Sequence, residues 1–169
     1  MRQDLDIMDD IIESKFVEIG RDCFKTTMDV IVGVIYRPPN TDLQKFNEIC
    51  SDLLHRIRTE KKLVYLAGDY NVNLLNSETH QLTSEFLEIM FSNSFAPLIN
   101  KPTRVGKSSA TIIDNIFTNC RDFESSLSGI LYTDESDHYP VFYINNLQLE
   151  NDGDVHILRR SHSKKIAAI

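Results

Sequence analysis

Two apolar runs on either side of an amphipathic segment restrict this chain to a fold that combines strands with helices. The run Val30–Tyr36 is continuous and rich in β-branched residues, and Pro38–Asn40 ends it, which is typical of a buried strand. Within Leu43–Ile57 the apolar residues recur every three or four positions, which predicts a helix with one buried face. The run Leu63–Ala67 then predicts a second buried strand.

Further along the chain the same kind of pattern predicts more elements of both types. We expect a helix over Thr83–Phe91 and strands over Thr111–Phe117 and Val141–Ile144. The segment Lys101–Ser109 contains Pro, Gly and Ser and is expected to be a loop. The order strand, helix, strand, helix, strand, strand indicates an α/β protein with packed layers and at least one mixed sheet.

The composition is that of an ordinary globular domain. The chain has 169 residues, 18 Lys and Arg against 25 Asp and Glu, and 41% hydrophobic residues. This balance excludes collagen-like, low-complexity and fully disordered chains. No apolar stretch approaches the roughly 18 residues of a membrane span, and the acidic N-terminus lacks a secretory apolar region. We therefore expect no membrane partner.

The cysteines and the net charge narrow the function classes. Cys23, Cys50 and Cys120 are odd in number and form no CxxC or Cys/His cluster, so neither a disulfide framework nor a zinc site is expected. Buried thiols fit an intracellular protein, in the nucleus or the cytoplasm. The net charge of -7 argues against nonspecific nucleic-acid binding. It leaves open a metal-dependent nuclease, whose carboxylates recruit cations.

Polar residues stand at the ends of the first two predicted strands. Asp69 and Asn71 follow Gly68, which permits a turn or a close backbone approach. The Asp could orient a water or a cation, and the Asn could bind a phosphate oxygen. The alternative is an Asp/Asn turn that merely closes the strand. Tyr36 could donate to a phosphate, or it could be a packed aromatic residue.

A second polar group belongs to the later strands. Asp114 lies inside an apolar strand, where a charge is costly unless it is paired, and His138 is a suitable partner. Asp137 could bind a divalent cation, and His138 could act as an acid or base. Surface positions are the alternative for each residue taken singly. Together these residues fit metal-assisted hydrolysis of a phosphodiester by water.

Five segments, in this order, give the chain a resemblance to a known family. They are ESKFVEI, VIVGVIYRPPN, LAGDYNVNLL, NKPTRVGKSSATIIDNIFTN and SDHYPVF. The chain resembles the endonuclease/exonuclease/phosphatase superfamily, and within it most of all the apurinic-type endonuclease domain of non-LTR (LINE-like, jockey-type) retrotransposon proteins. The resemblance implies a four-layer α/β sandwich with two mixed β-sheets. It also implies Mg²⁺-dependent nicking of DNA, with Mn²⁺ as an alternative ion.

The resemblance assigns roles around the attacking water and the phosphate. Tyr36 is similar to the family's phosphate-contacting tyrosine. Asp69 resembles the residue that positions or deprotonates the water, and Asn71 its partner for water and phosphate. Thr103 stands where many members have a phosphate-contacting polar residue.

It also assigns the histidine and the metal. Asp114 resembles the carboxylate that orients the histidine, His138 resembles the histidine that polarises the phosphate, and Asp137 resembles a metal ligand. Nicking would leave a 3′-hydroxyl able to prime a reverse transcriptase, so DNA is the expected partner, with a reverse transcriptase domain in a longer parent protein.

One departure from the family concerns the start of the chain. The family has an Asn on its first strand and a metal-binding Glu on the following segment, both upstream of the ESKFVEI match, and only 12 residues precede Glu13 here. We therefore expect a partial sandwich whose N-terminal segment is missing. Glu13 and Glu18 stay open as substitute ligands. The missing strands would expose a sheet edge, which predicts marginal stability or self-association.

The expected organisation follows from these matches. Residues 1–12 are a leader or a remnant of an upstream domain, 13–145 the C-terminal two-thirds of the nuclease-like domain, and 146–169 a linker and basic tail. The function expected is that of a Mg²⁺-dependent DNA endonuclease domain, a fragment with impaired activity. A non-catalytic retroelement remnant and another phosphoesterase of the same superfamily are the alternatives, so whether the chain is an enzyme stays open.

Overall fold

The computed structural model describes residues 1–24, 26–120 and 126–145. The predicted order of the main strands and helices is confirmed, and the structure adds further strands. The elements are β1 (Ile7–Met8), β2 (Glu13–Ile19), β3 (Val30–Tyr36), α1 (Leu43–Thr59), β4 (Leu63–Asp69), α2 (Gln81–Ser92), β5 (Ala96–Pro97), β6 (Arg104–Val105), β7 (Ala110–Thr111), β8 (Asp114–Thr118), β9 (Ser126–Ile130) and β10 (Val141–Asn145). Of the added strands, β2 is as long as β3. The strand predicted over Thr111–Phe117 is interrupted and forms β7 and β8.

A six-stranded mixed sheet forms the centre of the molecule, in the order β1-β2-β3-β4-β8-β5. Strands β3 and β4 are parallel and are connected through α1, whereas the other pairs in this sheet are antiparallel. The parallel pair requires a crossover, and the amphipathic helix supplies it. The predicted α/β class and the mixed sheet are confirmed.

Both helices cover one face of this sheet. Helix α1 begins at its N-cap Asp42, whose side chain accepts from the N–H groups of Gln44 and Lys45. Its buried face and that of α2 meet through Phe46 and Phe86, whose ring centroids are 5.9 Å apart. Phe86 also packs edge-on against Phe117 of β8. This apolar layer is the main core, and it packs the helices against β4 and β8.

The opposite face carries a second, smaller layer. Strands β9 and β10 form an antiparallel pair, and Tyr143 of β10 packs on Tyr65 of β4 with 5.3 Å between ring centroids. In the described residues, this antiparallel pair forms the second layer of strands in the predicted partial sandwich. Beyond that pair, no other described segment covers Val17, Val34 and Tyr36, which are exposed on this face.

The first twelve residues pack against the domain that follows them. Leu5 and Ile12 are buried in the main core, and strand β1 pairs with the start of β2. The N–H of Arg2 donates to the carbonyl of Phe16, also on β2. The sequence predicts an exposed sheet edge without identifying its strand, and in the structure this segment covers part of the edge of β2. The domain boundaries at residues 12 and 145 stay a prediction.

Some local expectations differ from the structure. The segment Lys101–Ser109, expected to be a loop, contributes β6, which pairs with β7 as a short hairpin. Cys50 is buried as expected, but Cys23 is exposed. In the described part of the chain, neither helix has the length and apolarity needed to cross a bilayer. The predicted linker and basic tail, 146–169, lie outside the described residues.

Candidate active site at the end of the central strands

The sheet register aligns four of the polar residues in one row. Glu13 pairs with Tyr36, Tyr36 with Asp69, and Asp69 with Asp114. Neighbours in a row across a sheet project from the same face, and the alternate residues Ile35 and Gly68 face the helices. The row therefore lies on the face opposite the helices, at the ends of β3 and β4.

A close approach of two strands brings β4 into position. A Cβ atom placed on Gly68 would lie 1.8 Å from the carbonyl oxygen of Ile35, which is a backbone atom and cannot move aside as a side chain could. The glycine is therefore required by contact with β3. This agrees with the close approach that the sequence indicated for Gly68.

Asp69 and Asn71 are held by a turn. The N–H of Asn71 donates to Oδ1 of Asp69 over 3.0 Å, and Asn71 has a left-handed φ of 47°. Between them Tyr70 is fully buried and packs edge-on against Phe117 at 5.2 Å. The turn that the sequence left as an alternative is thus present, and it anchors the two polar side chains to the core.

The environment of Asp69 favours its protonated form. Burial raises the pKa of its carboxyl group, and repulsion by Asp114 raises it further, while the N–H of Asn71 and the positive side chains nearby lower it. The raised pKa makes Asp69 a better proton acceptor than an ordinary carboxylate.

Asp114 and His138 form a pair beside Asp69. The Nδ1 atom of His138 lies 3.2 Å from each carboxylate oxygen of Asp114. This leaves Nε2 of the imidazole for a substrate. The sequence predicts the same pair. An isolated antiparallel β-bridge between His138 and Arg104 attaches the loop that carries His138.

Asp69, Asp114 and His138 converge on one point. Each offers one ligand atom, and these atoms all lie within 4.8 Å of one another. Carboxylate oxygens are the ligands that Mg²⁺ and Mn²⁺ prefer, and a cation between the two carboxylates would offset their repulsion. The donor set therefore fits a divalent cation held by Asp69 and Asp114, with the imidazole already committed to Asp114.

Asp137, predicted as a metal ligand, lies apart from this group. Its carboxylate accepts from Nε of Arg104 over 2.7 Å, and this ion pair lowers its pKa. Both side chains of the pair are about half exposed. In the described structure the side chain is directed to Arg104 instead of Asp69 and Asp114.

Thr103, predicted as a phosphate contact, is fully buried. Its hydroxyl oxygen accepts from the N–H groups of Ile113 and Asp114, and its carbonyl accepts from the N–H of Tyr139, next to His138. The hydroxyl is therefore engaged with backbone groups in this structure, and its contact with a phosphate stays a prediction. The contacts are those of a residue that ties the Asp114 strand to the His138 loop.

The two glutamates left open as substitute ligands differ in their surroundings. Glu18 is occupied by ion pairs with Arg2 and Lys62 at 2.8 and 2.6 Å. Glu13 is exposed and ends the row described above, two strand spacings, or about 10 Å, from Asp69. Neither residue belongs to the group of Asp69, Asp114 and His138.

The fold and this group together define an α/β domain of the endonuclease/exonuclease/phosphatase fold. The endonuclease domain of TRAS1, a telomere-specific non-LTR retrotransposon, matches with a TM-score of 0.56 at 14% identity, over 80% of this chain and 70% of that domain. The Xenopus laevis APE2 catalytic domain matches with a TM-score of 0.51 at 19% identity, over 82% of this chain and 56% of that one.

An endonuclease/exonuclease/phosphatase family protein from Leptotrichia buccalis matches with a TM-score of 0.49 at 15% identity, over 83% of this chain and 54% of that one. No protein-family model matches the chain, and the search of curated proteins gave no match. The chain thus spans little more than half of two of these three structures. The resemblance seen in the sequence is confirmed at the level of the fold.

Proposed function

We propose that the chain is the endonuclease domain of a retrotransposon-derived protein and hydrolyses a phosphodiester bond of DNA in the presence of Mg²⁺ or Mn²⁺. The observation that carries this proposal is the convergence of Asp69, Asp114 and His138 within 4.8 Å. Two carboxylates and a histidine at this spacing suit phosphodiester hydrolysis. The fold supports the proposal, because the endonuclease domain of TRAS1 shares it.

Asp69 is the base in this mechanism. Its carboxylate accepts a proton from water while the water oxygen forms a bond to phosphorus, and the bond from phosphorus to the 3′-oxygen breaks. The leaving oxygen takes up a proton from solvent and becomes a 3′-hydroxyl. The position of Asp69 supports this role, because the turn to Asn71 holds its carboxylate at the end of β4, within reach of Asp114 and His138.

His138 and Tyr36 are the residues that would donate hydrogen bonds to the phosphate. The imidazole, oriented by Asp114 through Nδ1, offers Nε2 to a non-bridging oxygen on which negative charge develops. Tyr36 stands next to Asp69 in the row and is 37% exposed, and its hydroxyl is the proposed second donor to the phosphate. Asn71 completes the set through the turn that joins it to Asp69.

Asp69 and Asp114 would hold the cation, each through one carboxylate oxygen, which leaves the second oxygen of Asp69 to accept the proton. When bound, a divalent ion stabilises the charge of the phosphate and lowers the pKa of water. Asp137 remains a proposed further ligand, and in that role it would leave Arg104. DNA is the proposed substrate, and a reverse transcriptase domain in a longer parent protein is the proposed partner that would use the 3′-hydroxyl.

The test is nicking of supercoiled plasmid by the purified chain with Mg²⁺, compared with His138→Ala and with an EDTA blank. We expect nicking to fall by about 10² to 10⁴-fold in His138→Ala, the usual contribution of a positioned acid or base, and to stop in EDTA. His55→Ala, an exposed histidine of α1, is the matched control and is expected to nick normally.

Nicking that survives in His138→Ala contradicts the proposed site. A wild-type chain that does not nick at any divalent cation concentration contradicts the proposed activity and favours the non-catalytic alternative. Hydrolysis of phosphomonoesters or lipid phosphodiesters without DNA nicking would assign the site to another phosphoesterase of the same fold.

A further inference from the structure

Arg37 is a buried cation whose side-chain hydrogen bonds within the described residues go to neutral oxygen atoms. Its side chain is only slightly exposed, with 6% of the residue accessible. Nε donates to the carbonyl of Tyr70, Nη2 to the carbonyl of Asn71, and Nη1 to the carbonyl and hydroxyl of Thr41. Burying a charge is costly, so a residue of this kind is expected to have a specific role.

The contacts of Arg37 concentrate on the turn that carries the candidate base. Its main-chain N–H donates to the carbonyl of Asp69 over 3.0 Å, and its carbonyl accepts from Nδ2 of Asn71 over 2.8 Å. With the two side-chain bonds to Tyr70 and Asn71, one residue holds three consecutive residues of the turn. The last of these three residues, Asn71, has the left-handed backbone conformation.

The bond from Asn71 to Arg37 also sets the orientation of the Asn71 amide. Because Nδ2 donates to the carbonyl of Arg37, the side-chain oxygen of Asn71 is the end left to accept a hydrogen bond from water or to face a cation. The carbonyl of Asn71 is meanwhile fixed by Nη2 of Arg37 over 2.9 Å. The backbone carbonyl and the side-chain amide of Asn71 are therefore both held by Arg37.

We propose that Arg37 is a positioning residue that holds the Asp69–Asn71 turn and aims the side-chain oxygen of Asn71 into the site. The catalytic consequence rests on the proposed function. The role requires a guanidinium: its planar fork reaches three separate carbonyls at once, and it lies over the ring of Phe46, 5.7 Å from the centroid. A lysine ammonium keeps the charge but cannot satisfy that set of acceptors.

The test compares Arg37→Lys with Arg58→Lys, the same substitution at an exposed residue of α1 whose Nη1 donates to Ser92. Three quantities are measured: the single-turnover rate of nicking, the Kd for a DNA duplex in EDTA, and the side-chain amide resonances of Asn71 by NMR. We expect Arg37→Lys to nick about 100-fold more slowly, the effect of a small misplacement, with the Kd unchanged and the Asn71 resonances shifted. Arg58→Lys should resemble the wild type in all three.

Arg37→Lys that nicks at the wild-type rate with unshifted Asn71 resonances overturns the proposal. If the wild type does not nick, the proposed function fails, and the Asn71 resonances alone decide whether Arg37 positions the turn. If Arg37→Lys does not fold, Thr41→Val replaces it, since it removes one acceptor of the guanidinium and keeps the arginine. A slower rate or shifted Asn71 resonances in Thr41→Val then support the proposal, and their absence overturns it.

Discussion

Asp69 is subject to two opposing requirements. Its carboxylate must be partly buried beside Asp114 to act as a base, and the same burial and repulsion raise its pKa. A group whose pKa is raised in the folded state destabilises that state wherever it is ionised, and the destabilisation disappears as the pH falls. The residue that the proposed chemistry needs most is therefore one that the fold would be more stable without.

The substitution Asp69→Asn should separate these two requirements. The amide oxygen of the new residue can still accept from the N–H of Asn71, while the charge beside Asp114 is removed. We expect the free energy of unfolding at pH 7 to rise by about 1 kcal/mol and nicking to be lost. Urea unfolding and the plasmid assay measure the two effects. A less stable Asp69→Asn chain would show that the carboxylate is compensated by contacts beyond those described.

The sequence identified those site residues whose role follows from their place on a strand. Asp69 and Asp114 end strands that pair, and His138 was predicted as the partner of Asp114 from the cost of a buried charge. Thr103 and Asp137 were less accessible to such reasoning, because their contacts come from elsewhere in the chain. The Thr103 hydroxyl accepts from the N–H groups of Ile113 and Asp114. The Asp137 carboxylate accepts from Arg104.

Arg37 was missed as a site residue for the same reason. In the sequence, Arg37 is part of the YRPPN motif, directly after a buried strand. A charged residue at such a position indicates that its side chain has polar partners. Those partners, the carbonyls of residues 70 and 71, are provided by the turn after a different strand. Pairing of β3 with β4 has to be known before they can be found.

At the scale of elements, β3 and β4 approach each other so closely that their contact has no room for a side chain at Gly68. The strands are parallel, and Gly68 pairs with Ile35 in their register. Its missing Cβ leaves room for the carbonyl of Ile35. The elements that sequence patterns did not reveal have weaker signals: β9 reads SLSGI, with two serines and a glycine, and β6 and β7 have two residues each.

Gly68→Ala is expected to disrupt the pairing of β3 with β4. The new methyl group would overlap a backbone oxygen, so relief requires the strands to separate, and we expect a loss of about 3 kcal/mol or more in stability. Gly20→Ala is the matched control, because a Cβ there meets nothing within 4 Å. Thermal melts followed by circular dichroism compare the two, and equal melting temperatures would contradict the close approach.

At the scale of the whole molecule, one charged network joins distant parts of the chain. Arg2 contacts Glu18 of β2 and Glu60 at the end of α1, and Lys62, just before β4, contacts both glutamates. The network attaches the N-terminal segment to the sheet and the helix. By covering the edge of β2, this segment also bears on the predicted self-association, which size-exclusion chromatography would decide.

The network predicts how stability depends on acid. Hydrogen bonds from Arg2 and Lys62 lower the pKa of Glu60 from its ordinary 4.5 to about 2. Because the pKa is depressed in the folded state, the stabilisation is complete above pH 4.5 and is lost as the pH falls toward 2. We expect Glu60→Gln to be less stable than the wild type at pH 7, with the difference shrinking across that window. A difference that stays constant with pH would contradict this account.

The row Glu13, Tyr36, Asp69 and Asp114 has a consequence for the time course of folding. Each of its members comes from a different strand, and each pairing joins segments distant in the chain, so the row consists entirely of contacts with high sequence separation. Such contacts close late, after the helices and local turns have formed. We therefore expect a refolding chain to regain its helical signal before the row is assembled, and the proposed nicking activity to return only with the row.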